Sequence, residues 1–304
     1  MTSKFDHALS SNFVSLLAAE AEERGWWAEV LADPKLVIAL RGSYLNVYYR
    51  GQSLFYVEAK SSSLKVTTHE KYLLDPALAG QVPLVDGKFD VDKLLEKGFI
   101  KKYRNKETLP KMKKAASLFS GLEKTGCHEI AVRNPMVIDC EIAFPGVDEP
   151  IQDGDKKGAP RIDLACVEPY GDHARLVFWE AKHYSNGELR AAGEQPPPVC
   201  GQIATYRNYL SAHREVIVDS YTRVARNLLD ISKMGSGRPI SPLIAGIGSG
   251  TRRLDLGDEP KVGLIIFGYD EGQRVHPGWQ DQLKKLKKEV AWVRAVGDAK
   301  QIRL

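Results

Sequence analysis

The chain has 304 residues, 43% of them hydrophobic, and a net charge of only +4 from 43 Lys and Arg against 39 Asp and Glu. That supplies enough apolar surface for a substantial core in one large domain or two smaller ones, and it excludes a global polycation. Any nucleic-acid surface must therefore be a local patch. No apolar run approaches the roughly 18 residues of a membrane span, so no membrane partner is expected. The four cysteines, Cys127, Cys140, Cys166 and Cys200, form no CxxC pair. They read as reduced thiols of a cytoplasmic protein, not as a zinc site or a disulfide frame.

In chain order, the N-terminus opens into an amphipathic helix rather than a signal sequence. Phe13, Leu16, Leu17, Ala19 and Ala21 recur at helical spacing, which predicts one helix from Ser10 to Ala32, stopped by Asp33-Pro34. Three strand-like runs follow, at 36–40, 44–49 and 53–58. The turns Arg41-Gly42 and Arg50-Gly51 between them indicate an antiparallel meander. The Lys- and Ser-rich piece 60–65 leads into a polar, irregular middle.

From Asp92 to Lys114 the chain is basic, interrupted by Phe99 and Tyr103. A seam near residue 105 would separate an N-terminal α+β module (1–105), for substrate or partner binding, from a catalytic module (106–304). A helix is expected from Leu109-Pro110 to Gly121. A strand at 136–144, a polar loop to Pro160 and a hairpin turning at Gly171-Asp172 come next. Pro196-Pro-Pro then feeds helices at 199–212 and about 214–233. The apolar run from Val262 is an interior strand, and Trp279–Val290 is a basic helix. Alternating strands and helices in the C-terminal two-thirds indicate an α/β class.

The hairpin carries the chemistry. In Val177-Phe-Trp-Glu180-Ala-Lys182 side chains alternate across the sheet, so Glu180 and Lys182 share a face. An acid and a lysine ending an apolar strand are costly unless paired or binding something. Asp163, on the preceding strand, completes two carboxylates beside an ammonium, which is the equipment of a divalent-cation site that hydrolyses phosphodiesters. Read blandly, Glu180 and Lys182 are a strand-end ion pair and Asp163 caps a loop, but a surface pair would not need flanking Val, Phe and Trp. Downstream, Gln202 and Tyr206 stand at i and i+4 on one helical face.

Asp163, Glu180-x-Lys182 and Gln202-x-x-x-Tyr206, in this order, resemble the PD-(D/E)xK nuclease superfamily and its RecB-like branch. The resemblance spans about residues 137–210. Pro160 stands three residues before Asp163 instead of beside it. The resemblance implies a mixed central sheet flanked by helices, a restriction-endonuclease-like core. It also implies that Asp163 and Glu180 ligate Mg²⁺ (or Mn²⁺), that Lys182 orients the attacking water or stabilises charge, and that Gln202 and Tyr206 support the site and the DNA backbone. Family members usually bring one more acid. Glu141, two residues after Asp139, matches that role, with Glu123 and Glu129 as competitors.

The expected activity is therefore a Mg²⁺-dependent deoxyribonuclease, an endonuclease or exonuclease of restriction or anti-phage defence that is held off by a partner or triggered, with a regulatory protein or a second copy of the chain as the expected protein partner. An RNA nuclease of the same fold and a non-catalytic nucleic-acid-binding subunit are the alternatives. Residues 101–114, with Tyr103 stacking on a base, Lys284–Lys288 and Arg252-Arg253 are the candidate substrate contacts. A second Glu-Ala-Lys, Glu58-Ala-Lys60, has Asn46 where an acid would be needed and reads as non-catalytic. Gly246-Ile-Gly-Ser-Gly-Thr lacks the ending of a P-loop and precedes no helix, so ATP binding is not expected.

Overall fold

A computed structural model describes residues 5–75, 82, 84–85, 87–89, 98–145, 161–191, 193–235 and 237–304. The first helical pattern is broken in two. Helix α1 (Ser11–Glu22) is capped by Ser10, and α2 (Trp26–Ala32) restarts at Gly25. Between them Arg24 sits in the left-handed region at φ 53°, a backbone turn that side-chain periodicity cannot register.

The meander forms as expected and gains a fourth strand. β1 (Val37–Leu40), β2 (Tyr44–Tyr49), β3 (Gln52–Ala59) and β4 (Leu64–Thr67) make an antiparallel sheet in sequence order. The β2–β3 turn has both Arg50 (φ 49°) and Gly51 (φ 71°) left-handed, the geometry that matches strand twist. The Lys- and Ser-rich piece is therefore a hairpin turn rather than a lead into irregular chain. β5 (Leu84–Val85) and β6 (Lys88–Phe89) form a small separate ribbon. Residues 92–97, the start of the basic stretch, lie outside the described residues.

Two helices, not one, precede the larger sheet: α3 (Thr108–Ser117) and α4 (Leu122–Arg133). The sheet then runs through β7 (Val137–Ala143), β8 (Arg161–Tyr170) and β9 (His173–His183), an antiparallel meander. Helices α5 (Pro198–Ala212), α6 (Arg214–Ser232) and α7 (Pro242–Ser249) intervene before β10 (Leu254–Asp255) and β11 (Lys261–Phe267). After α8 (Glu271–Val275) and α9 (Pro277–Glu289), β12 (Val293–Ala295) closes the edge. The order is β12-β11-β9-β8-β7, with β11 parallel to β9 and β12 parallel to β11, so the sheet is mixed. The polar loop at 146–160 lies outside the described residues.

Residues 246–249 of the glycine-rich segment form the end of α7, which Gly250 closes in the left-handed region at φ 79°. Glycine is needed there for space. A Cβ on Gly248 would lie 2.6 Å from Ala225 O, so the two helices can touch backbone to backbone.

β11 is buried throughout and β9 from Leu176 to Lys182, because β9 has a strand on each edge and both faces of the sheet are covered. One face carries Ala174, Leu176 and Phe178 against Ile203, Tyr206, Leu210, Ile217 and Tyr221 of α5 and α6. The other carries Val177, Trp179 and Ala181 against Cys127, Ile130 and Ala131 of α4. Leu45, Val47, Leu54 and Val57 of the first sheet belong to the same continuous core as the first face. All four cysteines are free and buried.

Candidate active site

Strand alternation puts Glu180 and Lys182 in line with Leu176 and Phe178, where the apolar face ends. Both are buried, Glu180 to 3% exposure and Lys182 to 7%. Lys182 Nζ lies 2.9 Å from Glu180 Oε1, and Glu180 Oε2 is buried with no hydrogen-bond partner. The β8–β9 ladder stops at Leu164 opposite Trp179, and beyond it Ala181 N–H donates instead to Asp163 Oδ2 at 2.7 Å. Asp163 is thereby fixed beside the Glu180–Lys182 strand end.

The acids press on one another. Burial, and then the neighbouring charge of Glu180 and Glu141, holds the Asp163 carboxyl well above the usual carboxylate range. Burial pushes Glu180 up to about 7 even though the Lys182 ammonium pulls the other way. Burial alone would lower Lys182, but Glu180 and Glu188 outweigh it and hold the side chain as an ammonium. A cation in this place would relieve the repulsion between carboxylates and would answer the orphaned Glu180 oxygen.

Of the candidates for the further acid, Glu129 points away and pairs with Arg133 at 3.3 Å on the helix surface. Glu141 faces Asp163 from β7 and has φ 55°, a strained value for a non-glycine residue within a strand. Glu123 lies in the first turn of α4. Its Oε2 accepts from His183 N at 2.9 Å and from Asn186 Nδ2 at 2.8 Å. Both acids therefore border the site. Among the described residues, no three of His, Cys, Asp and Glu come together as a metal-binding group. Mg²⁺ does not require three, since it keeps several waters and takes one or two carboxylates together with substrate oxygens.

The helix motif divides in two. Gln202 Nε2 donates to Glu188 Oε1 at 3.4 Å, at the edge of the site. Tyr206 is 1% exposed, packs on Phe144, and donates its hydroxyl to Arg161 O at 2.8 Å. It braces the start of β8, two residues before Asp163, from within the core. Glu188 was not apparent from the sequence, because it falls in a turn (Gly187–Leu189) after β9 and belongs to no periodic pattern.

The expected nucleic-acid contacts fare unevenly. Tyr103 donates its hydroxyl to Glu29 and packs at the core margin near Phe55, so its ring is not free to stack on a base. Lys111 pairs with Asp75 and Lys113 with Asp33, whereas Lys101, Lys102 and Lys114 are exposed. Lys285 pairs with Asp281, and Lys284, Lys287 and Lys288 are exposed. Arg253 lies 3.9 Å from Asp255, and Arg252 reaches carbonyls of the hairpin turn. Glu58 sits at a strand end between Lys60 at 3.3 Å and Lys65 at 3.7 Å, a surface ion pair with no second acid across from it.

Comparison with known proteins identifies no relative. No protein-family model matches the chain, and no curated protein or solved structure matches it either. Among the described residues, no helix is long and apolar enough to cross a membrane.

Proposed function

We propose that the chain is a metal-dependent nuclease that hydrolyses DNA phosphodiester bonds at Asp163, Glu180 and Lys182. The observation that carries this reading is Glu180. Its carboxylate is buried, touches an ammonium with one oxygen and leaves the other without a donor, next to a second, half-buried acid. A structural ion pair would satisfy both oxygens. The strand order supports the reading too: an antiparallel meander followed, after helices, by a strand parallel to β9 is the kind of mixed sheet the PD-(D/E)xK resemblance implies.

Asp163 and Glu180 would hold Mg²⁺ or Mn²⁺, with Glu141 bordering on the β7 side. When bound, the ion supplies Lewis-acid polarisation of the phosphate and a bound water of lowered pKa. Lys182, kept as an ammonium by its carboxylates, offers fixed positive charge where negative charge develops on the phosphate. Asp163 is held by a backbone N–H, so its orientation does not depend on a mobile partner. A role in defence, under the restraint of a protein partner or a second copy, belongs to the same proposal.

The test is incubation of the purified protein with linear, circular and single-stranded DNA and with RNA, in Mg²⁺, Mn²⁺ or EDTA. DNA should be cut with either metal and spared in EDTA. Lys182→Ala should lower the rate by about 10²–10³-fold, the usual loss for one transition-state charge partner. Cleavage by a folded Lys182→Ala protein at the wild-type rate would end the proposal. Cutting confined to RNA would transfer the same chemistry to the other substrate.

A further inference from the structure

Lys182 has a second carboxylate partner. Glu188 Oε2 stands 2.6 Å from Lys182 Nζ, in addition to Glu180 Oε1 at 2.9 Å. The turn that presents Glu188 is anchored at several points. Asn186 Oδ1 accepts from Glu188 N at 2.9 Å, and Asn186 Nδ2 donates to Glu123 Oε2. Leu189 is fully buried, and Arg190 Nη1 donates to Tyr184 O at 2.7 Å and to Asn186 O at 3.0 Å. Behind Glu188, Gln202 Nε2 donates to its other oxygen.

We propose that Glu188 is a positioning residue of this site: together with Gln202 it fixes the Lys182 ammonium so that the lysine meets the substrate phosphate in one orientation. The proposal rests on the nuclease reading above. A lysine side chain has four rotatable bonds and three equivalent donors, so one carboxylate partner leaves it free to swivel. Two carboxylates from separate elements, one on β9 and one on the turn behind it, remove that freedom before substrate arrives. Misplacing a reacting group by about 1 Å costs on the order of 100-fold in rate, which is why such a clamp matters. The arrangement also gives the Gln-x-x-x-Tyr helix two separate tasks. Gln202 acts on Lys182 through Glu188, and Tyr206 holds the strand that bears Asp163.

Two measurements decide it. In steady-state cleavage, Glu188→Ala should lower kcat by roughly 100-fold with KM and Mg²⁺ affinity little changed, and Glu188→Asp should recover part of the loss. Gln202→Leu should lower kcat less, and should add nothing to Glu188→Ala because it acts through that residue. Independently of activity, the ¹⁵N-ammonium resonance of Lys182, assigned by its loss in Lys182→Arg, should be visible in the wild-type protein. It should persist in Glu188→Asp and vanish in Glu188→Ala. An unchanged kcat, or an unchanged ammonium resonance in folded Glu188→Ala, would overturn the proposal. If the wild-type protein cuts nothing with either metal, the nuclease reading falls, and a resonance that depends on Glu188 then shows the clamp without that chemistry.

Discussion

Glu180 carries the clearest consequence of burial at a single position. Because its proton is held up to about 7, the folded chain binds that proton more tightly than the unfolded chain does. Its contribution to stability therefore weakens as pH rises from the ordinary carboxylate range through about 7. A divalent cation binds the ionised form, so Mg²⁺ should raise the melting temperature more at about pH 8 than at about pH 5.5. Thermal unfolding with and without Mg²⁺ checks this, and an equal shift at both pH values, or in Glu180→Gln, would show that the ion binds elsewhere. At this scale much was legible: Asp163, Glu180 and Lys182 come together as the alternation of two strands requires. Glu188 was not legible, because its place depends on a turn whose direction is set by contacts with Glu123 and Tyr184.

Helix α4 is the element on which the site leans. It delivers Glu123 to the end of β9 and packs flat against the sheet at Gly126, where a Cβ would fall 2.0 Å from the buried Phe267 ring. Gly126→Ala should destabilise the protein by about 1–3 kcal/mol through overpacking and should displace Glu123 from His183 N. Denaturant unfolding measures the first effect; cleavage assays should show a larger loss of rate than stability alone accounts for. Gly263 is a similar contact on β11, directly beneath Trp179, its partner in the ladder. Neither glycine could be assigned a role from spacing, since each serves a surface on another element. The α1/α2 break at Arg24 escaped periodicity for a local reason: both halves turn apolar side chains inward, and only the backbone between them changes.

Across the whole molecule, Asp139 ties distant parts of the chain together. It is fully buried and meets His7 Nδ1 at 2.8 Å, Arg41 Nη1 at 2.7 Å and the Tyr221 hydroxyl at 3.1 Å. Burial alone would raise its pKa, but Arg41 and His7 reverse the direction and hold the carboxyl below its usual range. Asp139 and Glu141 share a strand but not a task, and the left-handed backbone at Glu141 separates the internal cluster from the site. Asp139→Ala leaves Arg41 buried without its carboxylate and should cost about 3–5 kcal/mol. Equilibrium unfolding should register this as a large fall in midpoint. A folded-state pKa below the unfolded value means that Asp139 contributes stability above about pH 4, lost as pH falls through the lower value. Asp139→Asn should remove that acid-side dependence.

Local pattern by itself determined the hairpin, its acids and lysine, the Gln202/Tyr206 helix face and the α/β alternation. Each of these is a relation between residues a few positions apart, set by the strand repeat of two or the helical repeat of 3.6. Only the tertiary structure decided that the first sheet shares a core with the second, and that Tyr103 and Tyr206 are spent inside rather than on a ligand. It also brought Glu123, Glu141 and Glu188 from three separate elements to the edge of one strand. Those are relations between residues far apart in the chain, fixed by which buried polar groups find partners when the elements close together.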